Sequence, residues 1–281
     1  MRNPDLLAIG HVTKDLLPDG GHVVGGTVTY AAATACSLGA SVAVLTSAPL
    51  DLDLSSVLRG ADVLVVPSPA ATTFENIYEG QRRRQYLHSV ASPLGAEHLP
   101  QTWRHPSIVL LGPLAGELGC DWLGMFPAAL VGVTPQGWMR QWDESGLVTP
   151  KPWSEAERVL AKVDVLVLSE EDVAGDEALI QQYGRMARIA AVTRGRRGAT
   201  VFRDGVARDF PAFRVQEVDP TGAGDVFAAA FLLRLKETGD PYLAAPFANS
   251  AASFVVEGGG TAAIATREQV EERLRVGELR E

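Results

Sequence analysis

The sequence predicts an α/β fold: a doubly wound, mostly parallel sheet with helices on both faces, and a small β element standing off it. Three observations predict this. Short apolar runs recur along the 281 residues, each ending in a polar or glycine-containing turn, which is how buried parallel strands end. Helical patterns separate several of these runs, the alternation that winds a parallel sheet. One segment, 72–90, breaks the pattern with partial polar–apolar alternation around Glu79-Gly80, as an antiparallel hairpin does.

Along the chain, "LLAIGHVT" (6–13) is the first strand, and "TYAAATACSLGA" (29–40) is a helix of small residues stopped at Gly39. "SVAVLTSA" (41–48), "DVLVVP" (62–67), "SIVLLGPL" (107–114), "ALVGVTP" (129–135), "DVLVLSEED" (164–172) and "IAAVTRG" (189–195) are further strands. Helices are expected at 154–163 and 176–187, and a second hairpin over 198–210 turns at Asp204-Gly205. The last third is helical, over 223–237, 241–257 and 267–276. Thr266 and Gln269 form a capping-box pattern before the final helix. There is no internal repeat or long linker, so residues 1–281 are expected to form a single domain.

Apolar residues make up 46% of the chain and charged residues 21%, enough for a sizeable core. The net charge of -9 argues against a general nucleic-acid or anionic-membrane partner. Cys36 and Cys120 have no closely spaced metal-ligand partner and are expected to be reduced thiols. His11, His22, His88, His98 and His105 show no zinc-ligand spacing. No stretch is apolar and long enough to span a bilayer, so the expected location is the cytoplasm.

"DPTGAGDVFAAAF" (219–231) is a strand–turn–helix junction. Gly222 and Gly224 let backbone N–H groups converge on an anion at a helix N-terminus. Asp225, in the first turn, is either a helix cap or a base for a reacting hydroxyl. "GGHVVGGT" (20–27) is a near miss to a phosphate-binding P-loop, with Gly26 where its lysine belongs. "IGHVTKD" after the first strand lacks the GxGxxG of a dinucleotide-dependent oxidoreductase.

"DPTGAGDVFAAAF" resembles the signature of the ribokinase-like PfkB carbohydrate kinase family, and "GGTVTYAAATACSLGA" resembles that family's first signature. The resemblance runs from Gly10 to Thr261. It implies a ribokinase-like fold whose small β lid is formed mainly by 72–90. It further implies an ATP-dependent, Mg²⁺-assisted kinase that transfers the γ-phosphate to a hydroxyl of a small sugar, polyol or inositol. A nucleoside kinase of the same fold, or a non-catalytic nucleotide- or sugar-binding module, is the alternative. In this reading Asp225 is the catalytic base, and the backbone of Gly222, Ala223 and Gly224 is the anion hole. Asp219 matches an acid that organises a monovalent-cation (K⁺) site in several members, although Pro220 differs from the commoner Thr. Asp15, Gly25 and Gly26 fall on acceptor-binding positions. Tyr30 stands where many sugar kinases carry Asn, a departure from ordinary ribokinase or fructokinase specificity; with "TTFENIY" (72–78) the overall pattern resembles the inositol-kinase-like and uncharacterised sugar-kinase branches more than ribokinase itself. Ser169 and Asp172 match a motif that positions Mg²⁺ indirectly. Thr193, Gly195, Gly198 and Asn249 match nucleotide-side positions. Arg194 either faces phosphate or is a solvated loop residue. Arg82, Arg83 and Arg84 are either solvated charges or supply one arginine to the phosphates. The apolar face of the lid, with Phe74, Ile77 and Tyr86, is expected to pack on substrate or on a second subunit, which leaves a monomer or a homodimer through the lid.

Overall fold

The structure is a computed structural model that describes residues 3–79 and 82–280. Seven parallel strands make most of the main sheet: β1 (Leu6–Ile9), β4 (Val42–Ala48), β5 (Ala61–Pro67), β8 (Ile108–Leu111), β9 (Leu130–Val133), β12 (Val165–Ser169) and β13 (Ile189–Thr193). The hairpin of β14 (Ala199–Arg203) and β15 (Val206–Phe210) extends it antiparallel at one edge, in the order β15-β14-β13-β12-β9-β8-β1-β4-β5.

Side chains alternate between the two faces with the strand period of two. Leu6 and Ala8 point into one core with α1 (Thr27–Ser37), α4 (Ala223–Thr238), α5 (Pro241–Val255) and α6 (Arg267–Val276), where Phe227, Phe231 and Phe247 are fully enclosed. Leu7 and Ile9 point into the other, which holds Trp122 and Phe202 beside α2 (Ala156–Leu160) and α3 (Glu177–Met186). That second layer is less helical than expected. The helix predicted over 154–163 is one short turn, and the connections around it are 3₁₀ turns and a small hairpin of β10 (Arg140–Trp142) and β11 (Val148–Pro150). Pro113, Gly116, Gly119, Gly124 and Pro127 interrupt any helix there. Aromatic anchors hold these loops instead: the indole of Trp122 donates to Leu94 O at 3.0 Å and that of Trp138 to Leu118 O at 2.8 Å.

The hairpin predicted over 72–90 forms as β6 (Thr72–Glu79) and β7 (Arg82–Ser89), with residues 80–81 outside the described part. It belongs to a larger element. β2 (Thr13–Leu16) and β3 (His22–Gly25) join it in a four-stranded second sheet, ordered β3-β2-β6-β7. These strands are four residues long and carry little alternation, so the sequence reading passed over them. Of the apolar face expected to meet substrate or a second subunit, Phe74 is buried against Leu87, Leu114 and Ala115 of this same chain. Ile77 stays exposed, and Tyr86 bridges to Leu147.

The second sheet leaves the main one at a buried node. His11 is fully enclosed; its Nε2 donates to Ser92 O at 2.9 Å, so its Nδ1 accepts from the Thr72 hydroxyl at 2.7 Å. The buried Glu117 carboxylate accepts from the amides of His11, Leu114 and Ala115 at 2.8–3.0 Å. This node sits where β1, flanked by β4 and β8, sends the chain to opposite sides of the sheet. Crevices at such switch points bind ligands in open α/β sheets.

Candidate active site

Two helices begin at this crevice. α1 starts immediately after Gly25-Gly26. Gly26 has φ +93°, and a Cβ on it would lie 2.6 Å from His11 O. Only glycine allows this helix to begin against β2. A Cβ on Gly25 would run into the carboxylate of Asp15. Asp15 itself lies within β2, opposite Val23 and Phe74, rather than in a turn directly after the first strand. The Thr13 hydroxyl donates to it at 3.0 Å.

α4 starts at Gly222, a left-handed N-cap with φ +80° and ψ -4°. The Ala223 amide donates back to Pro220 O at 3.1 Å, so it is withdrawn from the expected anion hole. The amides of Gly222, Gly224 and Asp225 have no hydrogen-bond partner among the described residues. They leave positive potential at the helix N-terminus. Asp219 Oδ1 accepts from the Thr221 amide at 2.9 Å, closing the turn ahead of the helix.

The starts of α1 and α4 meet through a hydrogen bond from Thr27 to the Asp225 carboxylate. Burial pushes the Asp225 carboxyl up to about 6. The Thr27 hydrogen bond opposes that, Asp172 adds to it by repulsion, Arg140 opposes it by attraction, and Asp15 adds a smaller repulsion. As a whole residue Asp225 is partly buried. Tyr30, one turn into α1, is 5% exposed, and its ring lies against Gly222. Burial raises its phenol, with Asp225, Asp15 and Asp219 acting in the same direction, so it stays protonated.

Ser169 and Asp172 cap one another at the carboxyl end of β12. The Ser169 amide donates to Asp172 Oδ2 at 2.9 Å, and the Ser169 hydroxyl accepts from the Glu171 amide at 3.2 Å. The Gln136 side-chain Nε2 donates to Asp172 Oδ1 at 3.3 Å. Thr193 is the register partner of Ser169 on β13.

The remaining nucleotide-side residues are differently occupied. Arg194 is neither solvated nor turned to the crevice: its side chain is 11% exposed and bonds to Glu177 at 3.0 Å, Glu170 at 3.4 Å and Thr200 at 2.7 Å. Gly195 and Gly198 bound a 3₁₀ turn, and a Cβ on Gly198 would lie 2.6 Å from the Ala212 amide. Asn249 is buried, and its amide donates to Phe210 O and Pro211 O at 3.1 and 3.0 Å. It pins the connection from β15 toward α4. The side chains of Arg82 and Arg83 lie outside the described residues, and Arg84 is exposed on β7 opposite Ile77.

Sequence reasoning missed Thr27, Arg140, Gln136 and Glu117. Thr27 directly follows the glycine pair, and Arg140 and Gln136 follow the carboxyl end of β9, where ligand-facing loops emerge. Glu117, an isolated acid in "PLAGELGC", carried the signal of a buried charge needing partners. Among the described residues, no cluster of three or more His, Cys, Asp or Glu side chains is arranged to hold a metal, and no helix is long and apolar enough to cross a membrane.

Residues 144–268 match the sequence profile described as pfkB family carbohydrate kinase. A cytidine kinase from Thermococcus kodakarensis is 28% identical over 81% of this chain and 87% of its own. A solved myo-inositol kinase, a mutated form of a pyrophosphate-dependent enzyme, superposes with a TM-score of 0.80 at 26% identity, over 95% of this chain and 97% of its own. Arabidopsis thaliana ribokinase complexed with ribose and ATP superposes with a TM-score of 0.74 at 18% identity, over 98% of this chain and 99% of its own, a likeness of fold.

Proposed function

We propose that the chain, whose residues 144–268 match the pfkB carbohydrate kinase family, is a kinase of that family and transfers the γ-phosphate of ATP to a hydroxyl of a small sugar, polyol or inositol. One juxtaposition carries the reading. Asp225, held at about 6, stands in the first turn of α4 beside unpartnered amides and in the electrostatic field of Asp15. A base with this pKa is ionised at neutral pH, yet basic enough to take a hydroxyl proton. Asp15 and the Gly25-Gly26 turn orient the acceptor. Its hydroxyl donates to Asp225. As the new O–P bond forms and the bond to the leaving phosphate oxygen breaks, the proton passes to Asp225. The amides of Gly222 and Gly224 stabilise charge on the transferred group.

Asp172, already bonded by Ser169 and Gln136, is the carboxylate that would help hold a Mg²⁺ ion accompanying the donor, which would supply charge neutralisation at the phosphates. Thr193, Gly195 and Gly198 face the donor from the neighbouring strand ends, with Asn249 supporting them through residues 210–211. Asp219 is the carboxylate that would serve a monovalent cation if one binds. The second sheet acts as a lid over the acceptor, excluding water from the transfer, within one ribokinase-like domain.

A donor without a nucleoside is a second reading. Asn249 and Arg194 are committed to protein partners, so the phosphate end of the crevice is better furnished than the nucleoside end. The similar myo-inositol kinase is described as pyrophosphate-dependent. The cytidine kinase relative supports a nucleoside as the alternative acceptor.

The test is transfer to a pooled panel of sugars, cyclitols and nucleosides with Mg²⁺, offered ATP or pyrophosphate in separate reactions and read by mass spectrometry. A product that disappears in Asp225→Asn supports the reading and names donor and acceptor together. Donor binding without transfer to any panel member counts against it and supports a binding module.

A further inference from the structure

The segment that leaves β9 reaches two places. Its first residues stand at the crevice: Gln136 Nε2 donates to Asp172, and the Gly137 amide donates to Pro113 O at 2.8 Å, in the loop after β8. Arg140 opens β10 just beyond, within electrostatic reach of Asp225. β10 then pairs antiparallel with β11, Arg140 opposite Pro150, Gln141 opposite Thr149 and Trp142 opposite Val148.

The far end of this hairpin is seated on the second sheet. Residues 141–145 are exposed, yet Gly146 in the turn is buried. Its carbonyl accepts from the Leu87 amide of β7 at 2.8 Å, beside the bridge between Leu147 and Tyr86. Gly146 has φ +83°, and a Cβ on it would lie 2.5 Å from Leu87 O, so glycine is required at this contact. Val148 packs on the cluster of Phe74, Leu87, Leu114 and Ala115. The turn therefore continues the second sheet past its edge strand β7.

The hairpin is tied at both ends. The Asp143 carboxylate accepts from the Ser145 and Leu147 amides at 2.9 and 3.0 Å and from the Ser145 hydroxyl at 2.6 Å, while the Gly146 amide donates to Asp143 O at 2.9 Å. At the base, the Lys151 amide donates to Met139 O at 2.8 Å. A braced hairpin transmits a shift of its turn to its base instead of absorbing it. A guanidinium serves a reaction through preset placement, and a displacement of about 1 Å can cost on the order of 10²-fold.

We propose that Gly146 is a positioning residue: it seats the β10–β11 hairpin on the lid strand β7 and so ties the placement of Arg140 at the crevice to the position of the lid. A lid that moves over its acceptor carries the guanidinium with it. The effect on turnover rests on the kinase reading above.

The experiment compares the full chain with Gly146→Ala, Arg140→Gln and the double variant. The first readout needs no substrate. It is the Arg140 side-chain Nε–H signal in a heteronuclear NMR spectrum, assigned by its loss in Arg140→Gln. That signal should shift in Gly146→Ala, and the Leu87 amide should exchange with solvent roughly tenfold faster. The second readout is kcat with an acceptor that is phosphorylated. Gly146→Ala should lower kcat by roughly tenfold to a hundredfold, and the double variant should lie within about twofold of Arg140→Gln alone. Losses that multiply overturn the proposal, because Gly146 then acts independently of Arg140. An Arg140 signal unmoved in Gly146→Ala overturns it as well. Val148→Ala trims the same seat without straining the backbone. It replaces Gly146→Ala if that variant does not fold, with a smaller loss and the same lack of multiplication expected. A chain that transfers phosphate to no acceptor contradicts the kinase reading, and the Arg140 signal then decides the placement by itself.

Discussion

The left-handed Gly222 cap of α4 rests on the ring of Tyr30 from α1, with so little room that a Cβ at Gly222 would fall 2.6 Å from Tyr30 Cζ. Two requirements thus converge on one glycine: φ is +80°, and an aromatic ring occupies the side-chain direction. Gly222→Ala should cost about 2–3 kcal/mol from backbone strain and steric displacement together, a fall in Tm of roughly 5 °C for a chain of this size. Adding Tyr30→Ala should recover the steric part of that loss relative to Tyr30→Ala alone. Strictly additive losses in thermal melts would show that the ring is not the obstacle.

Asp225→Asn should lower turnover by about 10³ and at the same time stabilise the protein above pH 7. The folded-state pKa of about 6 lies above the ordinary aspartate value of 3.8. The shift therefore contributes stability that is complete below about pH 4 and is lost as pH rises through 6, leaving the charged form disfavoured by about 3 kcal/mol at pH 8. Melting wild type and variant at pH 4 and pH 8 checks the sign. The gain in the variant should be present at pH 8 and vanish at pH 4.

The acid limb of kcat/KM should fall near pH 6, where Asp225 gains its proton. Arg140→Gln should move that limb upward because a nearby positive charge is lost, and Asp172→Asn should move it downward because a repelling one is lost. Steady-state pH profiles with one acceptor decide this. A limb that does not move in either variant would show that neither charge acts on the base.

Asp15→Ala should raise the acceptor KM more than the donor KM. Its carboxylate lies against the Gly25 turn and is bonded by Thr13, within the second sheet. Matched increases in both constants would place Asp15 outside the acceptor site.

Glu117→Gln should destabilise the chain by about 2–3 kcal/mol. The carboxylate accepts from the His11, Leu114 and Ala115 amides, whereas the glutamine NH₂ would face N–H groups it cannot satisfy. Denaturant unfolding measures this. A loss under about 0.5 kcal/mol would mean that water replaces the carboxylate at the node.

Much of the sheet was legible because a buried parallel strand announces itself as an apolar run closed by a turn. The hairpin turning at Asp204-Gly205 and the helices α4 to α6 lie where the sequence put them, with Thr266 and Gln269 forming the expected capping box. The four-residue strands β2 and β3 were not legible, since neither is long or regular enough to show a period. Nor were the occupations of Arg194 and Asn249. A residue type in a matching position does not reveal whether Glu177 or the Phe210 carbonyl has already claimed its hydrogen bonds.

By itself the sequence determined the glycine-led starts of α1 and α4, the acid in the first turn of α4, and the alternation that builds the sheet. These are local properties, set by which backbone angles and which burial period each residue tolerates. Only the tertiary structure decided that the two helix starts meet, that Thr27 bonds Asp225, that Arg140 and Asp172 bear on it with opposite sign, and that Tyr30 lies beneath Gly222. The proton affinities of a carboxylate and a phenol are sums over surrounding groups. Here those groups come from residues 15, 27, 30, 140, 172 and 225, which are brought together only by folding.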